Sequence, residues 1–143
     1  MRGIPHLPES DLWWIWKRAT LSVVECIVES DGKILLTKRA GPPWKGWWHI
    51  PGGLVAYNET LEHAVKRVVK EDTGLDVSIV KFLGHYSKPG IDPRGHIIGH
   101  IYLCRVVSGK LKNGKKVSDV QFFSKMPRVP KHHKELLRKY GLL

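Results

Sequence analysis

The alternation of hydrophobic and polar positions changes period several times along this chain, and each change marks an element. Residues 21–29, LSVVECIVE, are rich in β-branched side chains and predict a strand. SDGK (Ser30–Lys33) follows with Asp-Gly at its centre, a hairpin signal leading into ILLTKR as a second strand. AGPPWKGWW is a loop punctuated by Gly41, Pro42, Pro43 and Gly46. WHIPGGLV then predicts a short strand running into a pair of glycines.

From Thr60 to Thr73 the period becomes helical: Leu61, Val65 and Val69 recur at i, i+4 and i+8, with Ala64 beside them and Val68 at the margin of the stripe. Thr60 or Asn58 can cap the first turn, and Gly74 can close the last in the left-handed conformation. DVSIVKFLGHY and HIIGHIYLCRVV predict two more strands around the Pro/Gly-rich loop SKPGIDPRG. VSDVQFFS predicts a final strand and PKHHKELLRKYG a short helix near the C-terminus. The sum is an α+β chain, a mixed sheet between helices in an α/β/α sandwich. It reads as a single domain over residues 1–143, with an N-terminal extension at 1–18 and a C-terminal helix within 128–143.

Composition changes this picture in three ways. At 143 residues and 42% hydrophobic content, one domain with a real core is expected. No apolar run approaches the roughly 20 residues that span a bilayer, and the N-terminus lacks a long apolar signal region, so no membrane partner and a cytoplasmic location are expected. The two cysteines, Cys26 and Cys104, lie inside apolar runs and read as buried thiols. The net charge of +11 suits an anionic partner, a phosphorylated small molecule or a nucleic acid, although the runs SGKLKNGKK and RVPKHHKELLRK suit solvated faces equally well.

The acidic residues around the helical segment carry the candidate chemistry. Glu59 stands just before it; Arg67 and Glu71 are four apart and share a face, where they can pair. Glu71 and Asp72 are adjacent, about 100° apart around the axis, so both can reach a cation off one edge. Hard divalent ions take such carboxylates together with backbone carbonyls and waters. The Gly52-Gly53 pair can present a carbonyl with no side chain in the way.

With Gly53, Glu59, Arg67, Val69, Glu71, Gly74 and Leu75 at these spacings, residues 50–77 resemble the Nudix box, G-x5-E-x7-R-E-U-x-E-E-x-G-U, where U is aliphatic. Asp72 replaces the last glutamate, and Val68 replaces the first one after the arginine. LLTKRAGPPWKGWWHIPGG, YSKPGIDPRGHIIGHIYLCRV and the C-terminal residues resemble the ADP-ribose pyrophosphatase branch of that family. The resemblance implies a hydrolase cleaving the diphosphate of a nucleoside diphosphate derivative such as ADP-ribose, with Mg²⁺ or Mn²⁺ held by Gly52, Glu71 and Asp72. It implies that Arg67 holds Glu59 by a charge-assisted pair.

The position of Val68 is a metal ligand or base in many members, and the GDP-mannose hydrolase branch, which attacks carbon, also lacks that glutamate. The resemblance therefore leaves two alternatives: a GDP-sugar hydrolase, or a catalytically inactive module that binds nucleotide or RNA. A glutamate restored at 68 is expected to project toward the same metal at modest cost.

Outside the box, Arg39 closes a strand and suits a phosphate as well as it suits an ordinary surface. Glu25 sits among apolar neighbours, needs a partner, and by resemblance faces a nucleobase. Arg94 and His96, in DPRGH, can reach substrate or stabilise their loop; His96 and His100 are candidates for a substitute base. Of the six tryptophans, Trp48 is expected in the core, while Trp13, Trp14 and Trp16 suit a covered sheet edge, a stacked base or a homodimer interface.

Overall fold

In the computed structural model, which describes residues 7–142, the elements run α1 (Glu9–Trp16), β1 (Leu21–Ser30), β2 (Lys33–Arg39), β3 (Trp48–His49), β4 (Gly52–Leu54), α2 (Leu61–Thr73), β5 (Leu75–Tyr86), β6 (Ile97–Gly109), β7 (Val117–Phe123) and α3 (Lys131–Lys139). The sheet has the path β3-β2-β1-β6-β5, with β4 also paired to β1 and β7 to β2. Only β1 and β6 run parallel; the other pairs are antiparallel. This is the α/β/α sandwich expected from the pattern.

The two-residue period of the strands explains why the sheet carries a core on each face. Val24, Cys26 and Val28 of β1, Leu35 of β2 and Cys104 of β6 point one way, onto Ala64, Val65, Val68 and Val69 of α2. Ile27, Ile34, Leu36 and Ile101 point the other way, onto Val129, Leu136 and Leu137 at α3. The same alternation puts Glu25, two residues before Ile27, on the α3 face. Cys26 and Cys104 are both free and buried, and burial pushes the Cys104 thiol up to about 12.

Local chemistry sets the boundaries. Asp31 and Gly32, at φ 51° and 73°, make the tight turn that SDGK predicts. The Thr60 side chain accepts a hydrogen bond from His63 N–H at the start of α2, and Gly74, at φ 79°, ends it.

Two elements differ from expectation. WHIPGGLV breaks into β3 and β4, because Ile50 and Pro51 turn the chain from β2 to β1. The N-terminal extension contains α1, with Pro8 preceding it and Glu9 and Asp11 in its first turn, where their charge suits the helix dipole. Trp16 buries against Val23 and Ile97, whereas Trp13 and Trp14 stay exposed. Trp48 packs edge-on against Phe123 at 4.6 Å. Among the described residues, no helix is long and apolar enough to cross a membrane.

Candidate active site

The site is assembled where β4 crosses α2. Register on β1 fixes how the β4 backbone is presented. Cys26 N–H donates to Pro51 O at 2.8 Å, and Val55 N–H donates to Ser22 O at 2.9 Å. These are hydrogen-bonded pairs of the antiparallel ladder, so the intervening Glu25–Gly52 and Val23–Leu54 pairs are of the other kind, and the Gly52 and Leu54 carbonyls point away from β1. For Leu54 the target is seen directly, since its carbonyl accepts from Arg67 Nη2 at 2.9 Å. Gly53 lies against Val68 of α2. Gly52 itself must be glycine: a Cβ there would fall 2.6 Å from Glu25 Oε2 and 2.7 Å from Val24 O.

Arg67 organises the acidic residues. Its Nε and Nη2 donate to Glu59 Oε2 and Oε1 at 2.7 and 2.9 Å, and its Nη1 donates to Glu71 Oε2 at 3.1 Å. Glu59 also accepts from Ala56 N–H at 3.0 Å and from His63 Nδ1 at 2.6 Å, with its side chain fully shielded from solvent. Burial alone would raise its pKa, but Arg67, Ala56 and His63 outweigh it and hold the carboxyl at about 2. With both oxygens accepting twice, Glu59 has no lone pair left for a reacting water. It is the anchor of Arg67, and sequence reasoning that grouped it with the catalytic carboxylates did not foresee the contributions of His63 and Ala56.

Glu71 and Asp72 differ from Glu59. Glu71 is half in solvent and keeps one oxygen free of Arg67. Asp72 is half-buried, and among the described residues none donates a hydrogen bond to its carboxylate. Burial and the neighbouring Glu71 charge push the Asp72 carboxyl up to about 6, while Lys116, Arg39 and Arg67 pull it down. Two neighbouring carboxylates, one of them desolvated without a bonded cation, offer hard oxygens of the kind that fits Mg²⁺ or Mn²⁺.

Val68 is not at the margin of the apolar stripe. It is 3% exposed and packs inside the α2 core against Gly53. The helical pattern placed it one step from the stripe's centre, but β4 covers that flank.

Arg39 lies near enough to Asp72, Asp92 and Arg94 to feel their charges, and it donates to its own loop at Gly41 O and Pro42 O, at 3.3 and 3.1 Å. Arg94 chelates Asp92 through Nε and Nη2, at 3.0 and 2.8 Å, and lies 4.7 Å over the Trp16 ring. His96 Nδ1 meets Thr20 Oγ1 at 3.0 Å, and His100 Nδ1 meets His85 Nδ1 at 2.8 Å. The loop residues Arg94 and His96 are thus fastened to Trp16 of α1 and to Thr20 at its exit. On the opposite flank, a cleft of about 400 Å³ is lined by Glu71 together with Lys70, Lys110, Lys112 and Lys115.

Glu25 is buried and accepts from Tyr86 Oη at 2.8 Å; His133 Nε2 faces it at 3.5 Å. Glu25, His132 and His133 bring ligand-type atoms within 4.8 Å of one another. This trio does not fit an ion. His133 Nδ1 accepts from Ile50 N–H at 3.1 Å, so its proton sits on Nε2 and neither nitrogen offers a free lone pair. His132 and His133 escaped sequence reasoning, which saw only a basic helix.

The NUDIX domain model matches residues 17–139. The chain belongs to the NUDIX domain family. An ADP-ribose pyrophosphatase of Methanocaldococcus jannaschii is 41% identical over 119 residues, which cover 82% of this chain and 70% of that protein. The NAD-capped RNA hydrolase NudC of Vibrio atlanticus is 37% identical over 98 residues, covering 67% of this chain and 34% of that protein. Among solved structures, a NUDIX hydrolase from Nitrosomonas europaea superposes with a TM-score of 0.76 at 26% identity, covering 84% of this chain and 69% of that one. The chain is a Nudix hydrolase acting on pyrophosphate bonds.

Proposed function

We propose that the protein hydrolyses the diphosphate of ADP-ribose or a close nucleoside diphosphate derivative, with Mg²⁺ or Mn²⁺. What supports this reading is the neighbouring pair of Glu71 and the desolvated Asp72 on α2, packed beside β4, whose Gly52 carbonyl points away from β1. The likeness to the ADP-ribose pyrophosphatase supports the choice of substrate class.

Gly52 O, Glu71 and Asp72 would hold the divalent ion, which would supply neutralisation of charge on the phosphoryl oxygens. Arg67, anchored on Glu59 and Leu54 O, holds Glu71 in its working rotamer. Arg39 offers a planar cation to the second phosphate from the end of β2. In this reading Glu25, bonded to Tyr86, accepts from a hydroxyl or N–H group of the nucleoside portion. The missing carboxylate at 68 slows the reaction without removing the ion's main donors.

A second reading rests on the cleft beside Glu71. Its four lysines suit a polyanion, and a chain of phosphodiesters leaving the catalytic edge would run through it. A panel of nucleotide sugars, dinucleotides and 5′-capped oligonucleotides, assayed with Mg²⁺ and Mn²⁺ and with products identified by mass, separates the two. Turnover of small diphosphates at rates unaffected by a Lys110→Ala, Lys112→Ala double change supports the first. Turnover confined to capped oligonucleotides, and lost in that double variant, supports the second.

A further inference from the structure

His133 is 3% exposed on the inner face of α3, far in sequence from the Nudix box, yet it touches the box's first residue. Its Nδ1 accepts the Ile50 N–H at 3.1 Å. Ile50 and Pro51 form the corner between β3 and β4, and the Pro51 carbonyl is held on the other side by Cys26 N–H. The corner ends at Gly52. The Nε2 of His133 faces Glu25 Oε1, and Glu25 Oε2 fills the space over the Gly52 Cα where a side chain would stand.

We propose that His133 is a positioning residue for the Gly52 carbonyl: it clamps the Ile50–Gly52 corner between α3 and β1, so that this carbonyl is presented to the ion with fixed direction. The inference rests on the reading of Gly52 O as a metal donor. The alternative donors for the corner are poor. Pro51 has no N–H, so the ladder to β1 holds that residue by one bond only, and the flanking Ile50 amide is the next backbone group able to fix the turn. Histidine suits the position because one ring both accepts from Ile50 and presents N–H toward Glu25. Docking of α3 and binding of the ion are therefore coupled, and each stabilises the other.

Two substitutions separate the two contacts. In His133→Asn, the amide oxygen can replace Nδ1 as acceptor for Ile50 N–H but nothing reaches Glu25; in His133→Phe, both contacts are lost with the ring volume kept. Mn²⁺ affinity is measured by calorimetry without substrate, hydrogen exchange of the Ile50 amide by NMR, and folding by thermal melting. Glu71→Gln serves as the control for the ion site. The expected result is Mn²⁺ affinity within about twofold of wild type in His133→Asn, and about tenfold weaker in His133→Phe with accelerated Ile50 exchange. If His133→Phe does not fold, His133→Gln replaces it, since its longer side chain cannot set the same acceptor at Ile50; the same loss is expected. Unchanged Mn²⁺ affinity in a folded variant whose Ile50 amide has become labile overturns the proposal alone. Unchanged affinity in Glu71→Gln overturns it together with the metal site on which it rests.

Discussion

Val68 and Gly53 are in contact across the junction of α2 and β4: a Cβ on Gly53 would lie 3.1 Å from Val68 Cγ2. The glycine is what lets the strand approach a valine where the Nudix box pattern has glutamate. Val68→Glu therefore forces a carboxylate into a site that is 3% exposed, at a cost on the order of 3 kcal/mol at neutral pH rather than the modest one expected from the helical pattern. Because burial raises the introduced group's pKa above its unfolded value, the loss shrinks as pH falls. Thermal melts at pH 5 and pH 8 check this, and saturating Mn²⁺ should recover part of the lost stability at pH 8 if the new carboxylate reaches the ion.

Glu59 gives the opposite pH dependence. Its carboxyl is held at about 2 against an ordinary 4.5. A depressed folded-state pKa means stability that is fully present above pH 4.5 and lost as pH falls toward 2. The shift corresponds to about 3 kcal/mol. Glu59→Gln should be less stable than wild type by about that amount at pH 7, with the gap closing between pH 4.5 and 2. Urea unfolding at a series of pH values measures it.

Glu71→Gln should weaken Mn²⁺ binding at least tenfold while leaving the melting temperature within a few degrees of wild type, because this side chain is 49% exposed and makes one ion pair. Calorimetry and a thermal melt on the same sample decide it.

Arg39→Ala should weaken binding of an intact nucleoside diphosphate derivative by about 1.5–3 kcal/mol, the range for a hydrogen bond to a charged group. Binding of the nucleoside fragment alone should change little. Equal losses for both ligands would show that the Arg39 bonds to Gly41 O and Pro42 O shape the loop and that phosphate is not its target.

The parts of this molecule written in short-range pattern could be read from the sequence. The Asp31-Gly32 turn, the Thr60 cap, the Gly74 stop and the long strands are all local choices of backbone conformation. The pairing of Arg67 with Glu59 and Glu71 follows from the box motif and helical spacing. What escaped depends on contacts between distant segments. β4 covers the flank of α2 that hides Val68, and no helical wheel contains that strand. α3 delivers His133 to Ile50, 83 positions earlier in the chain, and only the folded sandwich brings them together. α1 was missed for a different reason: with three of its eight residues tryptophan, ESDLWWIW has a weak polar–apolar division, and its stability comes from Trp16 packing on Val23 and Ile97.

The most direct test of the account is the identity of the products formed from ADP-ribose by the wild-type protein with Mg²⁺, determined by mass spectrometry. Hydrolysis of the phosphoanhydride gives AMP and ribose 5-phosphate, formed only when the ion is present and strongly reduced in Glu71→Gln. Release of ADP and free ribose would place the attack at carbon, and tight binding of ADP-ribose with no turnover in either metal would make the protein a binding module; either result contradicts the account.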